Sequence, residues 1–449
     1  MNTNERRSVF SLAGIYALRM LGLFMILPVF SLYAEGLAGV TPTLIGLALG
    51  IYGLTMAVFQ IPFGMLSDRF GRKPMIAIGL VLFAIGSVIA AMSDSIWGVI
   101  IGRAVQGSGA IAAAMMALLA DLTREEERTK AMAIMGVSIG MSFTLALALG
   151  PFLNIVIGVD GIFWLTAVLA IAGIGILYLA VPDPEHIYHH RDVETVPDQL
   201  KHILFDTQLA RLDLGIMLQH GVMMAMFTAL PFVLRDYLGL ANSEHGWFYL
   251  PILVLSAFGM VPLIILAEKK RKMKQVFIGC VSLMVLSEVM LGAAHESMIA
   301  VGLGLLLFFV AFNVLEASLP SLISRMAPAD GKGTAMGVYS TSQFFGAFMG
   351  GAGGGWLYGT FGIAGVFYAC AAAACIWIAV AAGMRVPAYL SSFMIHVEPT
   401  DDREAESLAA RLLELNGVHE AKVVIEDGVA YLKVDKQKFD QQAAAALLE

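Results

Sequence analysis

The sequence predicts an all-α polytopic membrane protein, with twelve transmembrane helices in two six-helix halves, followed by a small α+β domain. Three observations carry this reading. Hydrophobic residues make up 58% of the 449 positions and charged residues only 14%, whereas soluble domains carry about 25% charge. Apolar runs of about 18 or more residues recur along the chain, each sufficient to cross a hydrocarbon core about 30 Å thick. After Arg385 the composition changes completely.

The first six spans are expected near 10–33, 44–67, 74–92, 96–120, 131–157 and 161–181. Arg6 and Arg7 precede the first of them in the manner of a signal peptide. The apolar run from Phe10 to Tyr33 is too long for one, so it reads as an uncleaved helix. A polar stretch from Pro182 to Arg211 follows, and six more spans lie near 212–234, 246–267, 274–294, 298–324, 334–359 and 363–384. The expected organisation is an N-terminal half (1–182), a linker (183–210), a C-terminal half (211–386) and a terminal domain (387–449). The 46 glycines suit membrane helices, where small residues let backbones approach closely. Cys280, Cys370 and Cys375 all lie in apolar runs without metal-ligand spacing and read as packing residues.

Basic residues set the orientation. Arg6, Arg7, Arg69, Arg72, Lys73, Arg124, Arg128, Lys130, Arg191, Lys201, the run Lys269 to Lys272, Lys274, Arg325 and Lys332 all fall on one side, and the opposite loops offer Arg235 and almost nothing else. The positive-inside rule then places both termini and the linker in the cytoplasm. The net charge of −7 adds nothing to this.

The halves echo each other. Pro62, Leu66, Asp68 and Arg69 match Pro262, Leu266, Glu268 and Lys269, and Thr129-Lys130-Ala131-Met132 resembles Gly333-Thr334-Ala335-Met336. Repeated six-helix halves are the signature of transporters that rock one half against the other around a midplane site. In the second copy Arg271 stands where the first has Gly71, so the halves are unequal.

The terminal domain shows strand alternation at Phe393, Ile395 and Val397. A helix from Asp402 to Leu415 follows, capped by Asp401 or Asp402 and stopped by Gly417. Val423 to Glu426 and Val429 to Val434 flank the hairpin signal Asp427-Gly428, and a last helix runs from Lys438 to the end. The order βαββα suggests a ferredoxin-like sandwich lacking its final strand.

Gly64, Asp68, Arg69, Gly71, Arg72 and Lys73, between spans two and three, resemble motif A of the major facilitator superfamily. Arg103, Gln106, Gly107 and Gly109 on span four look like its motif B, and the twelve spans extend the resemblance over residues 10–385. The layout with a ferredoxin-like tail resembles the YajR-type bacterial transporters with their YAM domain. Gly136, Gly140, Gly150 and Pro151 on span five are similar to motif C of the drug/proton antiporters, but Ala146 replaces a glycine and the final glycine pair is missing.

An acid at the end of a helix is opposed by the helix dipole, so Asp68 calls for a compensating partner. A solvated turn whose bases only fix topology is the plain alternative. The resemblance implies that Asp68 faces the N-terminus of span eleven near Thr334 and holds the outward-open state, with Gly64 allowing the close approach. Arg103 within a span costs about 2.5–3.5 kcal/mol on insertion scales unless it faces a bundle interior or snorkels to an end. The resemblance implies a role in proton transfer, through the pKa of a neighbouring acid.

Arg19 is more central, and Glu288 and Glu316 are the candidate intramembrane acids. Asn313 and Glu316 share a helix face, serving either an interhelix hydrogen bond or transport. Gln219, His220 and Gln343 are placed to line the same cavity, although a lone membrane histidine more often packs than relays protons. His186, His189 and His190 in the linker are weak evidence for a metal. The tail has no CxxC, and the chain has no phosphate-binding loop for ATP and no nucleophile–base signature. No enzyme activity, metal, cofactor or nucleic-acid partner is expected, and a monomer is.

The expected function, as the resemblance implies, is secondary transport of a small molecule across the bacterial inner membrane by alternating access, with proton-coupled efflux as the leading reading. Alternatives are proton symport or facilitated uptake, and a transporter-derived sensor whose C-terminal domain binds a cytoplasmic ligand.

Overall fold

A computed structural model describes residues 1–183, 197–328, 331–385, 391–397, 401–425, 428–435, 438–440 and 444. The first half holds α1 (Thr3–Phe24), α2 (Leu27–Ala34), α3 (Pro42–Phe70), α4 (Arg72–Ala91), α5 (Ile96–Ser108), α6 (Ala112–Asp121) and α7 (Glu125–Leu179). A short helix of the linker, α8 (Pro197–Phe205), leads to α9 (Thr207–Phe232), α10 (His245–Glu268), α11 (Met273–Ala293), α12 (Met298–Met326) and α13 (Lys332–Ala382).

Among the described residues ten helical stretches are long and apolar enough to cross a bilayer. Two of them are double. A straight α7 of 55 residues would run about 80 Å, far beyond a bilayer. Gly158 breaks it at φ 70°, a conformation that costs glycine little. Both ends of α7 then return to the start of the chain: the Met1 ammonium meets Glu127 at 3.0 Å, and Arg7 donates to the Leu179 carbonyl at 3.0 Å. The 51-residue α13 breaks in the same way at Gly362, φ 70°. Twelve spans result, as the hydropathy requires.

Two spans are interrupted where the sequence suggested continuous helices. The first breaks between α1 and α2, just before Pro28 at the start of α2, because proline has no N–H to continue the ladder. The fourth breaks over Gly109 to Ile111, between α5 and α6.

Helix α13 packs closely on α3 of the first half and on α9 of its own. Gly46, Gly50 and Gly53 of α3 face its Gly355, Gly351, Phe348 and Phe344, while its Gly346, Gly350 and Gly354 lie on Met217, Gly221 and Ala225 of α9. A Cβ on Gly351 would stand 2.7 Å from the Gly46 oxygen, and one on Gly350 would overlap the Gly221 oxygen. Small residues therefore bring three backbones together.

The halves also meet through side chains. Phe143 stacks on Phe312 with centroids 5.7 Å apart, and Tyr52 meets Phe344 edge-on at 6.5 Å. Toward the end opposite the basic loops, Phe152 packs on Trp247 at 5.2 Å and Ser31 donates to the Phe227 carbonyl at 3.3 Å.

The terminal domain has β1 (Ser391–His396), α14 (Asp402–Leu413), β2 (Val418–Val424) and β3 (Val429–Val434), in an antiparallel sheet of order β1-β3-β2. Asp401 caps α14 by accepting from the Glu404 N–H at 2.8 Å, and Gly417 stops the segment at φ 86°. β2 begins five residues ahead of the expected Val423, because the chain pairs with β3 directly after that turn. Ala430, Leu432 and Val434 pack with Leu408 and Leu412 of α14. Asp427, the linker histidines and most of the expected last helix lie outside the described residues.

Candidate functional site

Motif A is more helical than the sequence suggested. Helix α3 runs through Asp68 and Arg69 to Phe70, and only Gly71, at φ 95°, turns the chain into α4. Asp68 therefore sits in a last helical turn against the dipole, and its compensating partner is Arg72, in a direct ion pair. Arg72 is 2% exposed. Its Nη1 also donates to Ser67 Oγ at 3.0 Å and its Nε to Asp121 at 3.3 Å. Lys73 donates to the Val181 carbonyl at 2.6 Å and pairs with Asp183 at 2.7 Å, while Arg69 lies over the Phe70 ring. These contacts tie α3 and α4 to the ends of α6 and α7. Gly64 does make a close approach, but to Ala113 of its own half, where a Cβ would stand at 3.2 Å.

The second copy of the turn keeps the geometry and reverses a charge. Arg271 occupies the position of Gly71 with φ 52°, in the left-handed region that side chains avoid at about 1–2 kcal/mol. Glu268 is bridged by Arg325 at 2.8 Å to both carboxylate oxygens. Arg325 ends α12 as Asp121 ends α6, so one copy joins base to acid and the other acid to base. Asp121 was not singled out from the sequence. The register of the repeat points to it, since Thr129 and Gly333 match and Asp121 and Arg325 precede them by the same eight residues.

The two buried arginines inside spans one and four, Arg19 and Arg103, reach carbonyl and neutral side-chain oxygens, not carboxylates. Arg103 is 1% exposed and so does not snorkel. It donates to the Ala48 and Leu49 carbonyls at 3.2 Å each and to Gln106 Oε1 at 3.1 Å, and Gln106 in turn donates to Ser87 at 2.7 Å. None of these partners is an acid, so the tuning of a neighbouring carboxyl has no geometric support here. Arg19, also 1% exposed, donates to Tyr52 Oη at 3.1 Å and to the Gly109 carbonyl at 2.7 Å, at the break between α5 and α6. Tyr52 joins the two arginines, since its ring also lies 5.3 Å below the Arg103 guanidinium. A tyrosine in an apolar span carries no signal of such a role. Gly107 and Gly109 serve packing: a Cβ there would overlap Tyr52 and Gly79 backbone oxygens respectively.

The acid of interest is Glu316. Its Oε2 accepts from Gln219 Nε2 at 2.9 Å and its Oε1 from Gln343 Nε2 at 3.4 Å. His220 Nε2 lies 3.9 Å from the carboxylate and 2.8 Å from Gln343 Nε2. Glu316 thus gathers α9, α12 and α13, one turn along α12 from the Phe312 that touches the other half. Its side chain remains 38% exposed. Asn313 takes a different course from the one suggested by their shared face, donating to Ser256 of α10 at 3.2 Å. Glu288 is apart from this cluster, fully buried, and its two carboxylate oxygens have no hydrogen-bond partner among the described residues. On span five, Gly150 lies against the Met25 carbonyl of span one, ahead of Pro151. A Cβ added at Gly136 or Gly140 would meet nothing within 4 Å, so these two pack against no neighbouring helix in this conformation.

The terminal domain touches the membrane part through Lys433. This side chain is 6% exposed, donates to the Arg325 carbonyl at 2.9 Å and to the Ala327 carbonyl, and lies 3.5 Å from Glu420. Burial holds its ammonium below the ordinary lysine range, with Glu420 opposing that shift. A cation at these carbonyls is favoured by the dipole at the C-terminus of α12.

The sequence profile of the Major Facilitator Superfamily matches residues 12–351. The chain is 50% identical to the inner membrane transport protein YajR of Escherichia coli (strain K12) over 437 residues, 97% of this chain and 96% of that protein. It is 24% identical to the multidrug resistance protein MdtH of Proteus mirabilis over 345 residues, 76% and 84% of the two chains. Among solved structures, a bacterial homologue of the lysosomal transporter Spinster, in an inward-facing and occupied conformation, superposes with a TM-score of 0.71 at 14% identity, covering 85% of this chain and 96% of that one.

Proposed function

Because the chain belongs to the Major Facilitator Superfamily of membrane transporters, we propose that it moves a small molecule across the bacterial inner membrane by proton-coupled alternating access. Export by antiport is the favoured direction. Support for the direction comes from the motif C-like segment, whose Gly150 packs on span one, and from the likeness to a multidrug resistance protein.

The observation that carries the coupling is the donor set around Glu316. Both carboxylate oxygens accept from side-chain amides. A protonated carboxyl gains an O–H donor and becomes a weaker acceptor, so uptake of a proton weakens these amide contacts. The weakened contacts join α12 to α9 and to α13. Helix α13 packs on α3 of the other half, so the proton at Glu316 is linked to the spacing of the halves. Arg103 instead holds α5 against α3, and Arg19 holds α1 against α3 and against the break in the fourth span.

Glu316→Gln tests this in proteoliposomes loaded with a transported compound. The expected result is a pH profile flattened to near independence, with transport against a proton gradient lost and insertion unchanged. A profile identical to the parent's would return Glu316 to a structural role. Reversing the gradient in the same assay separates export from uptake.

We also propose that the basic-loop end is cytoplasmic and that the terminal domain modulates the transporter from there. The Lys433 contact with the end of α12 supports this. Lys433→Ala is expected to free the domain, seen as faster proteolysis and faster hydrogen exchange in β3 with the membrane part intact. If removal of residues 388–449 leaves transport whole and abolishes only a signalling output, the sensor reading replaces modulation.

A further inference from the structure

The end of the molecule opposite the basic loops carries one cation in its loops. The segments there hold Glu35, Asp94, Asp160, Asp236, Glu244 and Glu296, against Arg235 alone among lysines and arginines. Arg235 is placed by an irregularity. After Pro231, helix α9 widens into a π-turn over Val233–Tyr237, in which the Leu238 N–H bonds the Val233 carbonyl at 3.1 Å. Such turns cost regular hydrogen bonding and are frequent at functional positions.

The π-turn sets the Arg235 guanidinium across the seam between the halves. Nη1 pairs directly with Glu35, just after α2 of the first half, and Nη2 reaches the other oxygen of the same carboxylate at 3.2 Å. Nε and Nη2 hold Asp236 at 2.6 and 3.0 Å. The guanidinium also lies 5.5 Å over the Phe232 ring, which stacks on Tyr358. Arg235 therefore makes bidentate pairs with two carboxylates from opposite halves, the geometry that distinguishes arginine from lysine. Directly inward of it, Ser31 and Phe227 close the same seam.

We propose that Arg235 is the latch of this end, holding the halves together there while the opposite end is free to open, and that without it Glu35 and Asp236 repel across the seam. The latch rests on the alternating-access reading above and supplies the counterpart of motif A. Motif A ties elements at the basic end, whereas Glu35–Arg235 acts between the halves at the other.

The test uses the full-length chain with Ser31→Cys as a reporter for a membrane-impermeant maleimide added from the outside. The parent without the reporter corrects for Cys280, Cys370 and Cys375. Arg235→Ala is expected to raise labelling about twofold to fivefold, the range of a pair near the surface. Arg235→Glu should raise it further, because three carboxylates then share the seam. The charge swap Glu35→Arg with Arg235→Glu should bring labelling back toward the parent. Glu35→Gln, which keeps the shape, should act like Arg235→Ala. Unchanged labelling in Arg235→Ala and Glu35→Gln, or a swap that does not restore it, overturns the latch. A second reporter at the basic end separates the two readings. If outer labelling rises and inner labelling does not fall in return, the latch stands and alternating access fails. If neither moves, the latch alone fails.

Discussion

Asp68→Asn is expected to cut transport about tenfold, a change equivalent to about 1.4 kcal/mol, while the amount of inserted protein stays close to the parent's. The substitution preserves shape and removes one charge. Arg72, 2% exposed, then keeps Asp121 and Ser67 as partners, so the fold survives. Stripping a buried arginine of every partner costs about 3–5 kcal/mol, and only part of that applies with Asp121 in place. The loss falls on the conformational cycle instead. In the present arrangement Asp68 is held inside its own half by Arg72; the proposed lock has it meet the start of α13 in the outward-open state. Asparagine satisfies neither role with charge. Transport assays, together with labelling from the outer side, check this: unchanged transport and unchanged labelling would remove Asp68 from the lock. Asp121→Asn is the informative companion, since it weakens the same arginine without touching the start of α13.

The second large effect is at Gly350. Gly350→Leu is expected to prevent recovery of monodisperse protein, and Gly350→Ala to lower the melting temperature clearly. A Cβ here falls on the Gly221 oxygen of α9, a backbone atom that cannot rotate away. Overpacking a core commonly costs about 1–3 kcal/mol, and a clash with backbone lies at the upper end of that range because whole helices must part. Thermal unfolding of purified protein in detergent is the measurement. A melting temperature unchanged by the alanine would show that α9 and α13 are not packed this closely. Gly136→Ala is the matched control and should be neutral, because nothing lies within 4 Å of its Cβ position.

In the proposed cycle, conformational coupling runs through α13 for a physical reason. Its glycines let it touch α3 and α9 at once, and Gln343 on the same helix binds Glu316. On that reading a proton that rearranges Gln343 acts on a helix packed tightly on α3 of the first half and α9 of its own. The Glu316, Asp68 and Arg235 variants thus probe three levels of one motion: the central acid, the basic end and the opposite end.

What the sequence by itself determined is everything local. Twelve spans follow from hydropathy, because a backbone in hydrocarbon must satisfy its hydrogen bonds within its own helix. The repeat, the motif A turn and the strand alternation of the tail are likewise patterns over a few residues, and Gly158 and Gly362 stand close to the expected span boundaries. The tertiary structure alone decided which distant groups meet. Tyr52 under Arg103, Asp121 on Arg72, Gln219 and Gln343 on Glu316, and Glu35 on Arg235 join residues 27 to 200 positions apart. No periodicity encodes such pairs, because helix packing and not chain order sets the distance between them. The charge reversal between Asp121 and Arg325 makes the same point: the repeat predicted equivalent positions, and only packing showed that their partners had exchanged sign.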